Sequence, residues 1–141
     1  MTEQKILCAT DGAPHSEKAV VHAVTWAAQL RQPLTFITVM DGSEIKFVVW
    51  DHAKIAEGNV PIEPSLTAAL DRAKGAGLTQ LGCVRASGPR IAETIIAYAE
   101  KNSYHHIVMG SAGRAGAARF LKGSVAQELV TLAHCPVTIV R

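Results

Sequence analysis

Short apolar runs alternate along this chain with longer segments of helical period. The first run, residues 5–11, ends in Asp-Gly, and the segment after it places apolar residues three or four positions apart. Four later runs, at residues 33–40, 79–86, 104–109 and 136–140, are mostly apolar. Such runs are typical of strands in a parallel sheet that helices cover on both faces. The helical face after the first run consists of Ala19, Ala23, Trp26, Ala27 and Leu30.

The pattern predicts an α/β fold of the doubly wound, Rossmann-like kind. It contains a five-stranded parallel sheet of order 3-2-1-4-5 and four helices. These helices are residues 16–30, residues 65–74, a segment that follows Pro89, and residues 123–133. A length of 141 residues fits one domain over residues 1–141.

Residues 41–64 do not follow the pattern. Their hydrophobic period is weak, and they contain two prolines and two glycines. A loop is predicted there, and the sequence does not decide whether it contains a short helix around residues 47–55.

The charge balance excludes two classes of partner. Fourteen Lys and Arg residues against 12 Asp and Glu give a net charge of +2 without any basic block, so no nucleic-acid partner is expected. The longest uncharged stretches have 12 residues, whereas a membrane-spanning helix needs about 20.

The first residues form no basic leader, so a cytoplasmic protein is expected. Three cysteines without metal-site spacing are expected to be inert thiols.

In sheets of this kind, ligands bind beyond the carboxyl ends of the strands where the winding reverses, here between the first and fourth strands. The two chain segments that leave these strands are residues 11–16 and 110–124. The second segment is rich in glycine and leads into the last helix, which suits a phosphate group, because backbone amides can approach it closely. Ser124 either donates its hydroxyl to a phosphate or caps this helix. The same segment carries Arg114, Arg119 and Lys122.

Two generic nucleotide motifs are absent. A P-loop is excluded because Lys122 precedes Gly123 instead of following it. The dinucleotide fingerprint is missing as well, since the first turn reads Asp-Gly-Ala-Pro from Asp11.

The spacing Gly110-x2-Gly113-x9-Gly123-Ser124 resembles the motif of ATP-binding universal stress proteins. It occurs between the fourth strand and the last helix, and the first strand ends in Asp11-Gly, as it does in that family. The resemblance covers nearly the whole chain except residues 41–64. One position departs from the pattern, because Ala112 stands where family members often have His.

The resemblance implies a ligand and a set of contacts. The ligand is ATP, accompanied by Mg²⁺ or Mn²⁺. Asp11 and Val39 would contact adenine, Val39 through an apolar contact that a register shift of one residue would transfer to Met40. Asp11 has a second interpretation, as a turn-forming residue that caps the first helix. The residues that would hold the phosphates and ribose are Gly110, Gly113, Gly123 and Ser124, with Arg114 adding positive charge.

The resulting hypothesis is a nucleotide-responsive regulator of the stress response with at most slow ATP hydrolysis. Residues 110–124 contain no carboxylate, whereas phosphoryl transfer needs a metal clamp and a residue that orients the nucleophile. His105 and His106 are adjacent in a strand and point to opposite faces, so no metal site is predicted. The alternatives are a small phosphohydrolase or nucleotidyl transferase, and a nucleotide-free dimeric interaction module.

A homodimer is also expected. The last strand, from Pro136 to Val140, is apolar and lies at an edge of the predicted sheet. Such an edge favours pairing with a second copy, and the family resemblance implies the same. Regulatory protein partners are expected but not identified.

Overall fold

The sheet is the centre of the structure, a computed structural model that describes residues 3–110 and 125–141. Within these ranges the strands are β1 (Ile6–Ala9), β2 (Leu34–Asp41), β3 (Lys46–Trp50), β4 (Leu81–Gly88), β5 (His106–Gly110) and β6 (Val137–Val140). The helices of the same ranges are α1 (Pro14–Leu30), α2 (His52–Ala56), α3 (Pro64–Gly75), α4 (Ile91–Lys101) and α5 (Val125–Leu132). None of these helices is long and apolar enough to cross a membrane.

The strand order is β3-β4-β2-β1-β5-β6. Every pair is parallel except that of β3 with β4, which is antiparallel. The third, fourth and fifth predicted strands are β4, β5 and β6. When β3 is left out, the observed order β4-β2-β1-β5-β6 is therefore the predicted order 3-2-1-4-5. The doubly wound α/β fold is confirmed.

The predicted numbers of strands and helices are wrong by one each, because residues 41–64 contain β3 and α2. A short helix around residues 47–55 was an open alternative. The first half of that range is a strand, because its residues prefer extended backbone; they are Phe47, Val48, Val49 and Trp50. β3 lies at the sheet edge, where apolar side chains point to both sides and no clear period marks them. The helix α2 follows, and its N-cap is Asp51, whose carboxylate accepts a hydrogen bond from the N–H of Lys54 (2.9 Å).

Alternate residues of each central strand face two different apolar layers. In β1, Ile6 and Cys8 pack toward α1 and α3, whereas Leu7 and Ala9 pack toward α4 and α5. All four side chains are fully buried. The helices therefore cover both faces, and β1 lies in the middle of the sheet.

The three cysteines are free thiols, and Cys8 and Cys83 are buried in the core. Burial raises the pKa of Cys83 to about 12, and it also raises the pKa of Cys8. Both thiols are therefore protonated at neutral pH, as expected for inert core residues.

Candidate functional site

The central strand β1 is shorter than its neighbour β2, and this leaves a gap in the sheet. The last main-chain hydrogen bond of the described residues between them runs from the N–H of Thr10 to the carbonyl of Ile37 (3.0 Å). β2 continues to Asp41. Residues two apart on a strand direct their main-chain groups to the same side, so Val39 points its N–H and carbonyl past the end of β1.

Val39 does not offer its side chain to this gap. The side chain is fully buried in the apolar layer under α4 and α5. Met40, the alternative adenine contact, is only half-buried. An apolar contact by the Val39 side chain is therefore not available at this edge, whereas its main-chain groups are directed there.

Asp11 follows β1 and forms the turn into α1. Its Oδ1 atom accepts hydrogen bonds from the N–H of Ala13 (3.0 Å) and from the hydroxyl of the fully buried Ser16 (2.6 Å). Only 1% of the Asp11 side chain is exposed. This is the geometry of an Asx turn, so Asp11 forms the turn that the second interpretation gave it. It does not cap α1, since the N-cap is Ala13 and no side-chain capping hydrogen bond is found there among the described residues. The same carboxylate lies at the carboxyl end of β1, where the ligand site is expected.

Gly110 ends β5 and lies directly against the first turn of α1. A Cβ atom built on it would lie 2.5 Å from the carbonyl oxygen of His15 and 3.0 Å from Cδ2 of the His15 ring. No side chain fits there without moving α1. Glycine is thus required at this position by the packing of helix on strand.

His15 lies between the exits of β1 and β5 and is not among the predicted site residues. Its ring lies over Gly110, and its Nε2 atom lies 3.8 Å from Oδ2 of Asp11. Within the described ranges Nε2 is buried without a hydrogen-bond partner. Only its position inside the segment of residues 11–16 could have indicated it.

Four predicted contacts lie outside the described residues. They are Gly113, Arg114, Gly123 and Ser124. The described part of the site therefore consists of the exits of β1, β2 and β5.

A cavity of about 180 Å³ opens beside the exit of β1, between α1 and α3. Its walls include Thr10, Ala13 and Ser65, and an ion pair between Glu17 and Arg72 (2.8 Å) lies at its edge. Ligand pockets typically measure about 300–1,000 Å³, so this cavity has room for part of a nucleotide.

Larger cavities lie at the opposite end of the sheet. One of about 300 Å³ is lined by Tyr104, Cys135 and His134, and one of about 230 Å³ is lined by Trp50 and Tyr98. Both lie near the amino ends of strands, where α/β sheets do not place their ligands. In the part of the chain that the structure describes, no group of three His, Cys, Asp or Glu residues could hold a metal ion.

A doubly wound sheet whose winding reverses between β1 and β5 defines a Rossmann-like α/β protein with its ligand crevice at that reversal. Residues 3–141 match the universal stress protein family. The chain belongs to this family.

Relatives agree with this assignment. The chain is 32% identical to universal stress protein MJ0531 of Methanocaldococcus jannaschii over 98% of its own length and 82% of that protein. It superposes on a universal stress protein solved in complex with cAMP with a TM-score of 0.73, at 26% identity, over 100% of this chain and 99% of the other. The fold is also that of the Archaeoglobus fulgidus universal stress protein in complex with dAMP, with a TM-score of 0.67 at 18% identity and 100% coverage of both chains.

Proposed function

We propose that this chain is a single-domain, nucleotide-responsive regulator in the stress response that binds ATP at the crevice beyond β1. The observation that carries the proposal is the meeting of two segments that are far apart in sequence. The exits of β1, with Asp11, and of β5, with Gly110, both contact His15 at the winding reversal. This is the place where doubly wound sheets bind their ligands.

The main chain of Val39 is the best candidate for the adenine contact. An adenine edge presents an amino donor beside a ring nitrogen acceptor. A strand residue that directs both N–H and carbonyl into the crevice offers the complementary acceptor and donor. This assignment replaces the apolar contact by the Val39 side chain, which is buried in the core.

Two relatives support adenine nucleotides as the ligand class. One universal stress protein was solved with cAMP and another with dAMP. The phosphates would then be held by Gly110, Gly113, Gly123 and Ser124, with Arg114 adding charge. A Mg²⁺ or Mn²⁺ ion would arrive with the triphosphate and be held mainly by its oxygens.

Regulation by binding is favoured over catalysis, with at most slow hydrolysis of ATP. Phosphoryl transfer needs groups that hold the metal and orient the nucleophile. Asp11, the acidic side chain at the exit of β1, already accepts two hydrogen bonds from the turn into α1. A phosphohydrolase is the alternative, and steady ATP consumption that Ser124→Ala abolishes would establish it.

Isothermal titration calorimetry with ATP, ADP and AMP tests the proposal. We expect saturable binding of ATP, weakened by Ser124→Ala. Small molecules released from the purified protein should include adenine nucleotide by mass spectrometry. If none of the three nucleotides gives heat at millimolar concentration, the nucleotide-free interaction module is correct instead.

We also propose that the chain is a homodimer that pairs through β6. This strand lies at an edge of the sheet, and such edges favour pairing with a second copy. A cytoplasmic location stays a prediction.

A further inference from the structure

The cavity of about 230 Å³ at the amino ends of β2 and β4 has a wall that the doubly wound arrangement does not supply. Val49 of β3 and Asp51, the N-cap of α2, line it. Both belong to residues 41–64, which lie outside the alternation of strand and helix. The rule that places ligands at the opposite end of the sheet concerns that alternation alone. The cavity is therefore separate from the proposed nucleotide crevice.

Two tyrosine rings in the wall of this cavity lie against each other. The ring centres of Tyr98 and Tyr104 are 5.7 Å apart, and the hydroxyl of Tyr104 donates a hydrogen bond to Oγ1 of Thr35 (2.7 Å). Gly82 also lines the cavity, and a Cβ atom built on it would lie 2.8 Å from the same Thr35 oxygen. Glycine therefore keeps the space beside this hydrogen bond open, and contacts within the protein fix the aromatic wall.

The charges around the cavity are negative. Glu3 and Asp51 line it, and the described residues that do so include no Lys or Arg. Lys5 lies close by, with its Nζ atom 4.4 Å from the centre of the Tyr104 ring, so it compensates one of the two carboxylates. The same contact shows that this ring attracts a cation. The cavity therefore favours a cation over an anion.

The polar groups of the wall select the kind of cation. The hydroxyls of Tyr104 and Thr35 bond each other, and the Asp51 carboxylate accepts a hydrogen bond from the N–H of Lys54. A primary ammonium brings three N–H donors that need acceptors, whereas a quaternary ammonium brings none and binds well to aromatic rings. An apolar cavity of about 150 Å³ holds benzene. The volume of about 230 Å³ is therefore sufficient for a molecule the size of choline.

We propose that this cavity binds a small quaternary ammonium ion of the choline type. The cation lies against the rings of Tyr98 and Tyr104, and the carboxylates of Glu3 and Asp51 attract it. This inference does not depend on the proposed function, because it assigns a second class of ligand to the opposite end of the sheet.

Calorimetry with choline and with 3,3-dimethyl-1-butanol, its neutral isostere, tests the inference. We expect the wild type to bind choline about tenfold more tightly than the isostere, because only choline carries the charge that the rings attract. Tyr104→Phe and Tyr104→Leu are a matched pair: both lose the hydrogen bond to Thr35, and only the second loses the ring. Tyr104→Phe should keep the preference for choline, and Tyr104→Leu should lose most of it.

A second pair of proteins tests the carboxylates, and it decides the matter if Tyr104→Leu does not fold by circular dichroism. Glu3→Gln combined with Asp51→Asn should weaken the binding of choline about fivefold and leave that of the isostere unchanged. Asn still serves as an N-cap of α2. Glu57→Gln is the matched control, since Glu57 is exposed at the end of α2 and is not among the residues that line the cavity. It should bind choline as the wild type does.

Three results would overturn the inference. They are no binding of choline to the wild type, equal affinity for choline and the isostere, and an unchanged preference in Tyr104→Leu or in the double variant. None of them bears on ATP binding, which is titrated separately, so the proposed function and this inference can fail independently.

Discussion

Gly110 illustrates how one residue can serve both packing and binding. The motif alone assigns it to phosphate binding, yet its contact with the carbonyl of His15 already requires glycine. Gly110→Ala should therefore lower the free energy of unfolding by about 1–3 kcal/mol, the usual cost of overpacking, even without nucleotide. Urea denaturation of the nucleotide-free protein measures this.

Gly75→Ala is the control for that substitution. Gly75 ends α3, and a Cβ atom there meets nothing within 4 Å. The variant should be as stable as the wild type or slightly more stable, by about 0.5–1 kcal/mol. A Gly110→Ala variant that matches it in stability would show that α1 does not lie against β5 as described.

Thiol reactivity gives a second prediction at the residue scale. Burial raises the pKa of Cys83 to about 12 and raises the pKa of Cys8, and burial followed by the charge of Glu100 raises the pKa of Cys135. Because the thiolate is the reactive form, Ellman's reagent at pH 8 should modify only the half-buried Cys135 in the native protein, and slowly. All three thiols should react in guanidinium chloride, and rapid reaction of two or more in the native state would contradict the burial.

At this scale, the sequence indicates residues that end strands better than residues that face a site. Asp11 could be identified because it follows an apolar run directly. The side chain of Val39 is buried in the core, and this could not be predicted, since periodicity does not tell to which face the side chains of a doubly covered strand point. His15 gave no signal, because a histidine in a first helical turn is ordinary until the neighbouring strand is known.

A pH-sensitive contact joins α1 to β5 and β6. The ring of His106 lies 4.9 Å from that of Trp26, and its Nε2 is 2.7 Å from the hydroxyl of Thr138. Burial first and then the nearby His22 lower the pKa of His106 below its ordinary value of 6.5. The unfolded chain therefore binds a proton at a higher pH than the folded chain does, and stability falls as the pH is lowered through about 6.5.

Urea denaturation between pH 5.5 and pH 8 measures this dependence. His106→Gln, which keeps a polar group near Thr138, should show a smaller loss of stability toward low pH than the wild type. The variant for comparison is His52→Gln, which removes an exposed histidine on α2. Equal slopes in all three proteins would mean that His106 titrates alike in the folded and unfolded chain.

Among the elements, those that could be predicted are the ones buried on both sides. β1, β2, β4 and β5 lie between two helical layers, and their runs of apolar residues are visible in the sequence. β3 has exposed Val48 and Val49 beside half-buried Phe47 and Trp50, so neither alternation nor a continuous buried run marks it. Its antiparallel pairing with β4 depends on a tertiary contact that the local sequence does not contain.

At the scale of the whole molecule, the strand order follows from general rules of chain connection, whereas the assembly does not. Right-handed crossovers and a reversal after β4 are enough to predict the central order. The sheet has two edges, β3 and β6, and either can pair with a second copy. The sequence favours β6 because its run is short, apolar and free of charge.

Sedimentation velocity of two edge variants distinguishes these interfaces. Val137→Lys adds a charge to β6, and Val48→Lys adds one to the exposed part of β3. We expect the wild type and Val48→Lys to sediment at twice the 15.0 kDa of one chain, and Val137→Lys to sediment as a monomer. Because Val137 also packs on the core, Val137→Pro is a second test: its N–H points away from β5, so proline removes a bond only from the outer edge. A dimer that survives both changes at Val137 but not Val48→Lys would place the interface at β3.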